Sequence, residues 1–471
     1  MKMRNYINGV MVALGAFALL AMSPTAAKAQ AAGAQGGAAA GAQGGASKTP
    51  YTMPEYNAFT ACQNEKDPNQ QVKCFDDFAA RFPNSFLLQY AYAPEFQAYT
   101  TLKNCAKAMD AADKLIALTT ADVGARLQVS LQRLQAFPAC YDPKAADAQA
   151  QLTKDRDIAL NGPKLLQQLP KKAGVSDADW AKSLAQLTNI FDNQAGWADL
   201  QLKDFAGAVT VYKDAMVNKA DDATASYELG TAYLAMNPPQ SIPGFWAIAR
   251  AVDLKVQQAD KVKDFLRSRI LAYEQPGCDS QVDGQLNEML QLAQNSPDPP
   301  STYTIPTADD LSKIRSGSTI LTIIADLSGG GDKAKMTWFA TCGSELPGVS
   351  GKIIDVQSGD SVVDFMVNTA DTPEAMQAAT TPNMDVKVYT AVPANPPPAP
   401  AGAAPPQIKP QPDVARLQKD DPISWSGTIV SYDPSPFVLH WDDVTVDPAS
   451  IPAEKSAPGH KPSAPKAPGR K

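Results

Sequence analysis

The spacing of hydrophobic residues divides the chain into a helical part and a strand part. From Thr52 to about Asn295, apolar residues recur three or four positions apart, a spacing that predicts amphipathic helices. From about Ser318 the pattern changes to short β-branched runs, which predict strands. We therefore expect an α+β multidomain protein, with a helical solenoid over residues 51–297 and a small β-rich barrel or sandwich over residues 301–450.

A regular pattern of small and large side chains stands within the helical part. It consists of Gly196, Ala208, Tyr212, Ala215, Leu229, Gly230 and Tyr233. Ala208 precedes Gly230 by 22 positions, and Gly196 precedes Gly230 by 34. A small residue at a helix crossing lets two helices approach closely, and an aromatic residue fills the gap beside it. These residues are therefore predicted to pack the interior of a helical repeat.

This pattern resembles the tetratricopeptide (TPR) repeat, whose period is 34 residues. The run Phe75, Phe78 and Phe82 resembles the end of a second repeat helix in exported bacterial TPR proteins. The resemblance implies stacked antiparallel helix pairs that bind a protein or peptide partner. A generic antiparallel helical bundle uses similar residues and stays open as an alternative.

The N-terminus predicts export. Lys2 and Arg4 precede an uncharged, mostly apolar run over 9–22, and the small residues Ala27 and Ala29 follow. This order is typical of a secretory signal peptide over residues 1–29, cleaved after Ala29. The apolar run is too short to cross a membrane, so we expect a periplasmic or secreted protein with no transmembrane segment after cleavage.

The cysteines have three possible roles: metal ligands, a redox pair or disulfides. All six lie after the predicted cleavage site: Cys62, Cys74, Cys105, Cys140, Cys278 and Cys342. No pair has the C-x-x-C spacing, and the two histidines are distant in sequence, so a metal or redox site is disfavoured. Cys62 and Cys74 flank a turn at 67–69 between two predicted helices, so we predict a disulfide between them. Cys105 and Cys140 form a second candidate pair.

The β-rich part is predicted to contain about seven strands. They cover residues 318–327, 335–342, 349–356, 361–368, 384–392, 423–432 and 437–446, with a hairpin turn at Gly329–Asp332. That number suffices for a small barrel or sandwich, and an oligomer-binding-type barrel is one candidate. The nine prolines within 392–414 predict a stiff, exposed loop inside this domain.

Low-complexity segments flank the folded parts. Residues 30–50 are rich in Gly, Ala and Gln and predict a disordered tether, and residues 451–471 predict a disordered, basic, proline-rich tail. The tail offers peripheral contact with the cell envelope. The whole chain has a net charge of −7, which argues against nucleic acid as the partner.

The sequence offers little sign of catalysis. His440 stands near Asp442 and Asp443, but no nucleophile motif accompanies it. We expect no catalytic residue, cofactor or metal, and a non-enzymatic, exported scaffold that binds a protein or peptide. The alternative function is glycan or small-molecule binding by the β-rich domain, with Trp338, Trp425 and Trp441 as stacking faces.

Overall fold

A computed structural model describes residues 50–393 and 408–453. The expected signal peptide, almost all of the tether and most of the proline-rich loop and basic tail lie outside the described residues. The chain divides into two compact units. One contains the residues up to Leu266 and Glu288–Tyr303, and the other contains Arg267–Asn287 and the residues from Thr304 onward.

The first part of the chain is helical. The described residues begin with twelve α-helices: α1 Met53–Asn64, α2 Pro68–Arg81, α3 Leu88–Thr101, α4 Cys105–Ala117, α5 Val123–Cys140, α6 Ala148–Leu166, α7 Asp177–Leu202, α8 Phe205–Asn218, α9 Ala223–Ala235, α10 Ser241–Asp253, α11 Ala259–Glu274 and α12 Ser280–Ala293. From α1 to α10, each helix packs against the next one along the chain. This is a TPR-like helical-repeat arrangement. The division between the two units falls within α11 and α12.

Short polar side chains fix where the helices begin. Asn104, Asp122 and Asp204 each accept a hydrogen bond from the backbone N–H three residues later, and Asp222 accepts two. Each bond satisfies a donor that the first turn leaves unpaired, a contribution of about 1 kcal/mol. Because these caps stand just after the preceding helix, they also keep the connections short.

Glycines allow the closest helix crossings. A Cβ atom added to Gly196 of α7 would lie 2.7 Å from the ring of Tyr212 on α8. One added to Gly230 of α9 would lie 2.5 Å from Ile248 and 2.7 Å from the carbonyl oxygen of Gly244, both on α10. These separations are below van der Waals contact, so larger residues would force the helices apart.

Two disulfides join neighbouring helices of the first unit. Cys62 of α1 is bonded to Cys74 of α2, with their Cα atoms 5.3 Å apart. Cys105 at the start of α4 is bonded to Cys140 at the end of α5, with a Cα separation of 5.5 Å. Both separations lie within the usual range for disulfides.

The part of the second unit from Thr304 onward begins with three helices, and the last two lie where the sequence predicted strands. They are α13 Ala308–Gly317, α14 Ile320–Gly329 and α15 Gly331–Thr341. The predictions of strands at 318–327 and 335–342 were therefore wrong. Apolar residues at 320, 323, 324 and 327 follow helical spacing, and Thr319 caps the first turn of α14. Gly330 and Gly331, both at positive φ, separate two helices and do not form a hairpin turn.

Five strands follow and close into a barrel. They are β1 Glu345–Ser358, β2 Val362–Asn368, β3 Met384–Tyr389, β4 Pro422–Pro434 and β5 Phe437–Val446, with α16 Pro373–Ala378 between β2 and β3. The order around the barrel is β1-β2-β3-β5-β4, and β3 and β5 run parallel. The strands therefore form a small closed barrel and not a sandwich, the other architecture that the sequence left open. Register shifts in β1 accompany its pairing with both β2 and β4.

The barrel interior is filled by side chains. Alternate residues of each strand point inward, and Trp425 and Trp441 meet there edge to face at 5.6 Å. Ile323 and Leu327 of α14 join this core. Val414, in a 3-10 turn at the end of the predicted proline-rich loop, joins it too, so this end of the loop is buried and not exposed. A third disulfide, Cys278–Cys342, which the sequence did not pair, ties the α11–α12 connection to the residue after α15.

Candidate partner-binding site

A buried ionic network links four consecutive helices of the repeat. The Arg133 guanidinium on α5 donates to Asp113 of α4 at 2.7 Å and to Asp155 of α6 at 2.9 Å. Gln194 of α7 donates to the second Asp155 oxygen at 2.8 Å. The side chains of Arg133 and Asp155 are 2% and 0% exposed. The network therefore fixes the relative positions of α4, α5, α6 and α7.

Burial governs the electrostatics of this network. Removal from water raises the pKa of Asp155, and the hydrogen bonds from Gln194 and Arg133 lower it again in part. Such a buried pair contributes little net stability compared with well-packed apolar side chains, yet loss of one partner leaves an uncompensated charge. We therefore infer that the network mainly fixes the alignment of α4, α5, α6 and α7.

An open groove of about 520 Å³ lies beside this network. It is lined by residues of α4, α5 and α6, namely Ile116, Ser130, Lys154, Asp157, Ile158, Leu160, Asn161 and Lys164. Ser130 is almost fully buried and forms the floor, whereas the Leu160 side chain is 42% exposed at the edge. The groove thus has an apolar lining with polar groups around it, as expected of a binding surface.

The groove follows one face of α6. Lys154, Ile158, Asn161 and Lys164 stand at positions i, i+4, i+7 and i+10, so they share one side of the helix. A rise of 1.5 Å per residue places the two lysines about 15 Å apart along the axis. Another side of α6 is buried, with Asp155 in the ionic network. One helix therefore anchors the network on one face and forms the groove on another.

Charge at the groove is unevenly neutralised. Lys154 pairs with Asp113 at 2.6 Å, but its side chain is 55% exposed and Asp113 is already bound by Arg133. Asp157 pairs with Arg156 at 3.4 Å. Among the residues that the structure describes, Lys164 forms no ion pair. Lys164 therefore presents at the groove a positive charge that is unpaired within the described part of the chain, and Lys154 presents an exposed one that is already paired with Asp113.

The predicted repeat-packing residues lie in a different place, within α7, α8 and α9. Ala208, Tyr212, Ala215, Leu229 and Tyr233 belong to one buried cluster. Gly196 and Gly230 stand at the helix crossings described above. None of these residues lines the groove. They pack the interior of the helical repeat. The residues that line the groove were not among those predicted from the sequence.

Several carboxyl groups elsewhere in the repeat are shielded from water. Burial raises the pKa of Glu95 on α3 and of Glu228 on α9 to about 7, and for Glu95 the neighbouring Asp76 adds to the rise. Burial also raises the pKa of Asp192 and Asp199 on α7 to about 6. Within residues 50–393 and 408–453, no group of three His, Cys, Asp or Glu side chains could hold a metal ion.

His440 on the barrel lies between two carboxylates. Its Nδ1 is 2.9 Å from Asp385 of β3, and its Nε2 is 3.1 Å from Asp433 near the end of β4. Burial disfavours the imidazolium, but the hydrogen bonds to Asp385 and Asp433 outweigh it, and the pKa of His440 is raised. The His440 side chain on β5 thus links β3 and β4 through these two hydrogen bonds.

The tryptophans do not form an exposed stacking platform, contrary to the expectation for glycan binding. Trp425 and Trp441 are each 1% exposed in the barrel core. Trp338 lies on α15, partly buried against Tyr432 at 5.0 Å between ring centres. The pattern of alternating residues in β4 and β5 sends their indoles inward, so these three side chains offer no shared outer face.

The helices of the described ranges 50–393 and 408–453 include none with both the length and the apolar character needed to cross a membrane.

Comparison with known proteins adds little to this description. No family model matches the chain, and no curated protein matches it. One matching solved structure is a thermophilic TPR protein from Thermus thermophilus. Its sequence identity is 15%, the match covers 46% of this chain and 99% of that chain, and the TM-score is 0.26. A likeness this distant carries no argument about function, so the helical-repeat assignment rests on the helix packing itself.

Proposed function

We propose that the protein is an exported, non-catalytic scaffold that binds a peptide segment of a protein partner through its helical repeats. The groove along α6 carries this proposal. It offers Ile116, Ile158 and the exposed Leu160 for apolar contact, with polar groups at the edge to orient a ligand. The scaffold role fits the helical-repeat architecture, in which stacked helix pairs present an extended surface.

The rigidity of the groove supports the same role. The network centred on Arg133 includes Asp155 on another face of α6 and links α4 to α7. A preformed surface loses less conformational entropy when a ligand binds than a flexible one does. The disulfide between Cys105 and Cys140 adds a covalent link between α4 and α5, two of the three helices that form the groove.

Site-specific cross-linking in the producing cells tests this proposal. A photoreactive residue at position 161 of the full chain should capture a protein partner, and Leu160→Glu should abolish that capture. Val217→Glu is the matched control, because Val217 is an exposed apolar residue of the same helical part but outside the groove, 85% exposed on α8. Equal capture by the wild type and Leu160→Glu would contradict groove binding.

Export belongs to the same proposal and has its own test. Disulfides usually persist in oxidising compartments, which agrees with three of them in the described residues. The mature protein should begin at Gln30 and be recovered from the periplasm or medium. N-terminal sequencing of the purified protein measures this, and a cytoplasmic protein retaining residues 1–29 would contradict it.

Glycan or small-molecule binding by the β-rich domain is the weaker alternative. An oligomer-binding-type barrel is a fold used for such ligands, but fold alone does not establish function. The argument from tryptophan stacking is lost because Trp425 and Trp441 are buried. We therefore favour the helical groove as the principal binding site.

A further inference from the structure

The charges at the ends of the groove suggest the chemistry of its ligand. We propose that the groove selects an extended peptide of another protein that has an apolar residue between two acidic ones. This inference rests on the proposed function, because it assumes that the groove is the partner-binding site. Lys154 and Lys164 are the proposed acid-binding residues, and Ile158 is the proposed apolar contact.

Spacing along α6 sets the pattern of the ligand. The two lysines are about 15 Å apart along the helix axis. An extended chain rises about 3.3 Å per residue and alternates its side chains between two faces, so the two acidic residues should be about four positions apart, where they share a face. Ile158 lies between the lysines along α6, and Ile116 of α4 also lines the groove. An apolar ligand residue midway between the acids would therefore reach both isoleucines.

The polar residues of the groove agree with an extended ligand. Asn161 stands between Ile158 and Lys164 on the same face, and its amide makes no hydrogen bond to any part of the chain that the structure describes. An amide side chain can donate to a backbone carbonyl and accept from a backbone N–H. Asp157 also lines the groove, but Arg156 partly neutralises it. Arg156 also pairs with Asp199 at 3.6 Å. Lys164 is the unpaired cation of the groove within the described ranges, and Lys154 would bind a ligand carboxylate in exchange for Asp113.

The chain's own undescribed segments do not supply this ligand. Residues 1–49 and 394–407 contain no Asp or Glu, and residues 454–471 contain only Glu454. A segment with two acidic residues must therefore come from elsewhere. Since the described part of the chain is already folded into helices and the barrel, another protein is the appropriate source.

Fluorescence anisotropy with defined peptides tests the proposal on the full chain. The first probe is a labelled peptide with two aspartates four positions apart, a leucine midway and serines elsewhere, and the second has lysines in place of the aspartates. Wild-type protein should bind the acidic probe about tenfold or more tightly than the basic one. The preference should weaken as salt is added, because the rim charges are exposed.

Charge reversal in the protein should reverse the preference. The variant K154E/K164E should favour the basic probe, and the milder K154Q/K164Q should bind both probes about equally. The control K172E/K182E makes the same change in net charge at exposed lysines outside the groove and should bind as the wild type does. Circular dichroism of each variant establishes that it remains folded.

The outcomes separate the ligand chemistry from the proposed function. If Leu160→Glu abolishes partner cross-linking but the lysine variants keep the wild-type preference, the groove binds its partner without selecting acids, and the inference is overturned alone. The inference also falls if wild-type protein shows no preference between the probes. If Leu160→Glu leaves both cross-linking and peptide binding unchanged, the groove is not the site, and both proposals fall.

Discussion

Removal of Arg133 from the buried network should destabilise α4 to α7 strongly. In Arg133→Met, Asp155 would keep its fully buried position but lose its positive partner. Breaking a buried pair in this way costs about 3–5 kcal/mol, because one charge is left uncompensated. Since each 1.4 kcal/mol corresponds to a factor of about ten, slow amide exchange in α5 and α6 should become at least about a hundredfold faster where local unfolding controls it.

Hydrogen exchange measured by mass spectrometry is the assay, with Lys154→Met as the matched control. Lys154 pairs with the same acceptor, Asp113, but its side chain is 55% exposed. Such pairs contribute only about 0–1 kcal/mol, so its removal should leave exchange nearly unchanged. The reasoning about burial is refuted if both variants accelerate exchange equally, or if Arg133→Met changes it by less than about tenfold.

The pH dependence of the effect gives a second check on the cause. Without Arg133, the pKa of Asp155 should rise further, because burial is then opposed only by Gln194. Protonation at low pH would remove the uncompensated charge. The loss in Arg133→Met should therefore be smaller at pH 5 than at pH 8, and Asp155→Asn in the same protein should recover part of it. A pH-independent loss would indicate that packing, not charge, causes the destabilisation.

Three further predictions concern packing and pH. Gly196→Ala should lower the free energy of unfolding, measured by thermal unfolding, by about 1–2 kcal/mol, because its Cβ would lie 2.7 Å from the Tyr212 ring. Gly284→Ala should raise it by up to about 1 kcal/mol, because the added Cβ meets open space on a helix. Equal effects would contradict the close-packing argument. Because the pKa of His440 is raised, its stabilising contribution should be complete below its ordinary pKa and lost as pH rises through the raised value. His440→Gln should therefore weaken the dependence of the melting temperature on pH between pH 5 and 9. An unchanged dependence would count against this role of His440. Burial raises the pKa of Glu95 from 4.5 to about 7, so the stability of the wild type should fall as pH rises across that window. In urea titrations at several pH values, Glu95→Gln should remove up to about 3 kcal/mol of this fall. A pH profile of the variant parallel to that of the wild type would show that Glu95 is not the cause.

The helical part was predictable because its pattern combines spacing with residue type. The Gly196 and Tyr212 positions follow from the repeat spacing. Gly196 permits close helix packing and Tyr212 fills the adjacent space, and both roles can be predicted from residue type. Isoleucine and threonine favour strands in isolation, which explains the wrong strand prediction over α14, and Thr337, Trp338 and Phe339 have the same preference in α15. Over 320–327 the apolar residues also have helical spacing, and this spacing, with the Thr319 cap, outweighs the β-branched composition in the folded chain.

The groove could not be located from the sequence because its parts come from three helices. The stripe Lys154, Ile158, Asn161 and Lys164 is visible as a helical pattern, yet it reads like any solvent-facing side of an amphipathic helix. Only the folded structure shows that Ile116 of α4 and Ile158 of α6 line the same groove. The burial of Arg133 is equally hidden, since arginine is normally a surface residue.

The shared acceptor Asp113 explains how the groove could bind acids without disturbing the network behind it. One of its oxygens receives Arg133 at 2.7 Å and the other receives Lys154 at 2.6 Å. A ligand carboxylate that draws the exposed Lys154 away would leave Asp113 still paired with Arg133. The buried charges would stay compensated, so binding would exchange one exposed ion pair for another at little cost. Rigid alignment and an adaptable rim thus depend on the same carboxylate, and this arrangement favours Lys154 over Arg133 as the residue that contacts the partner.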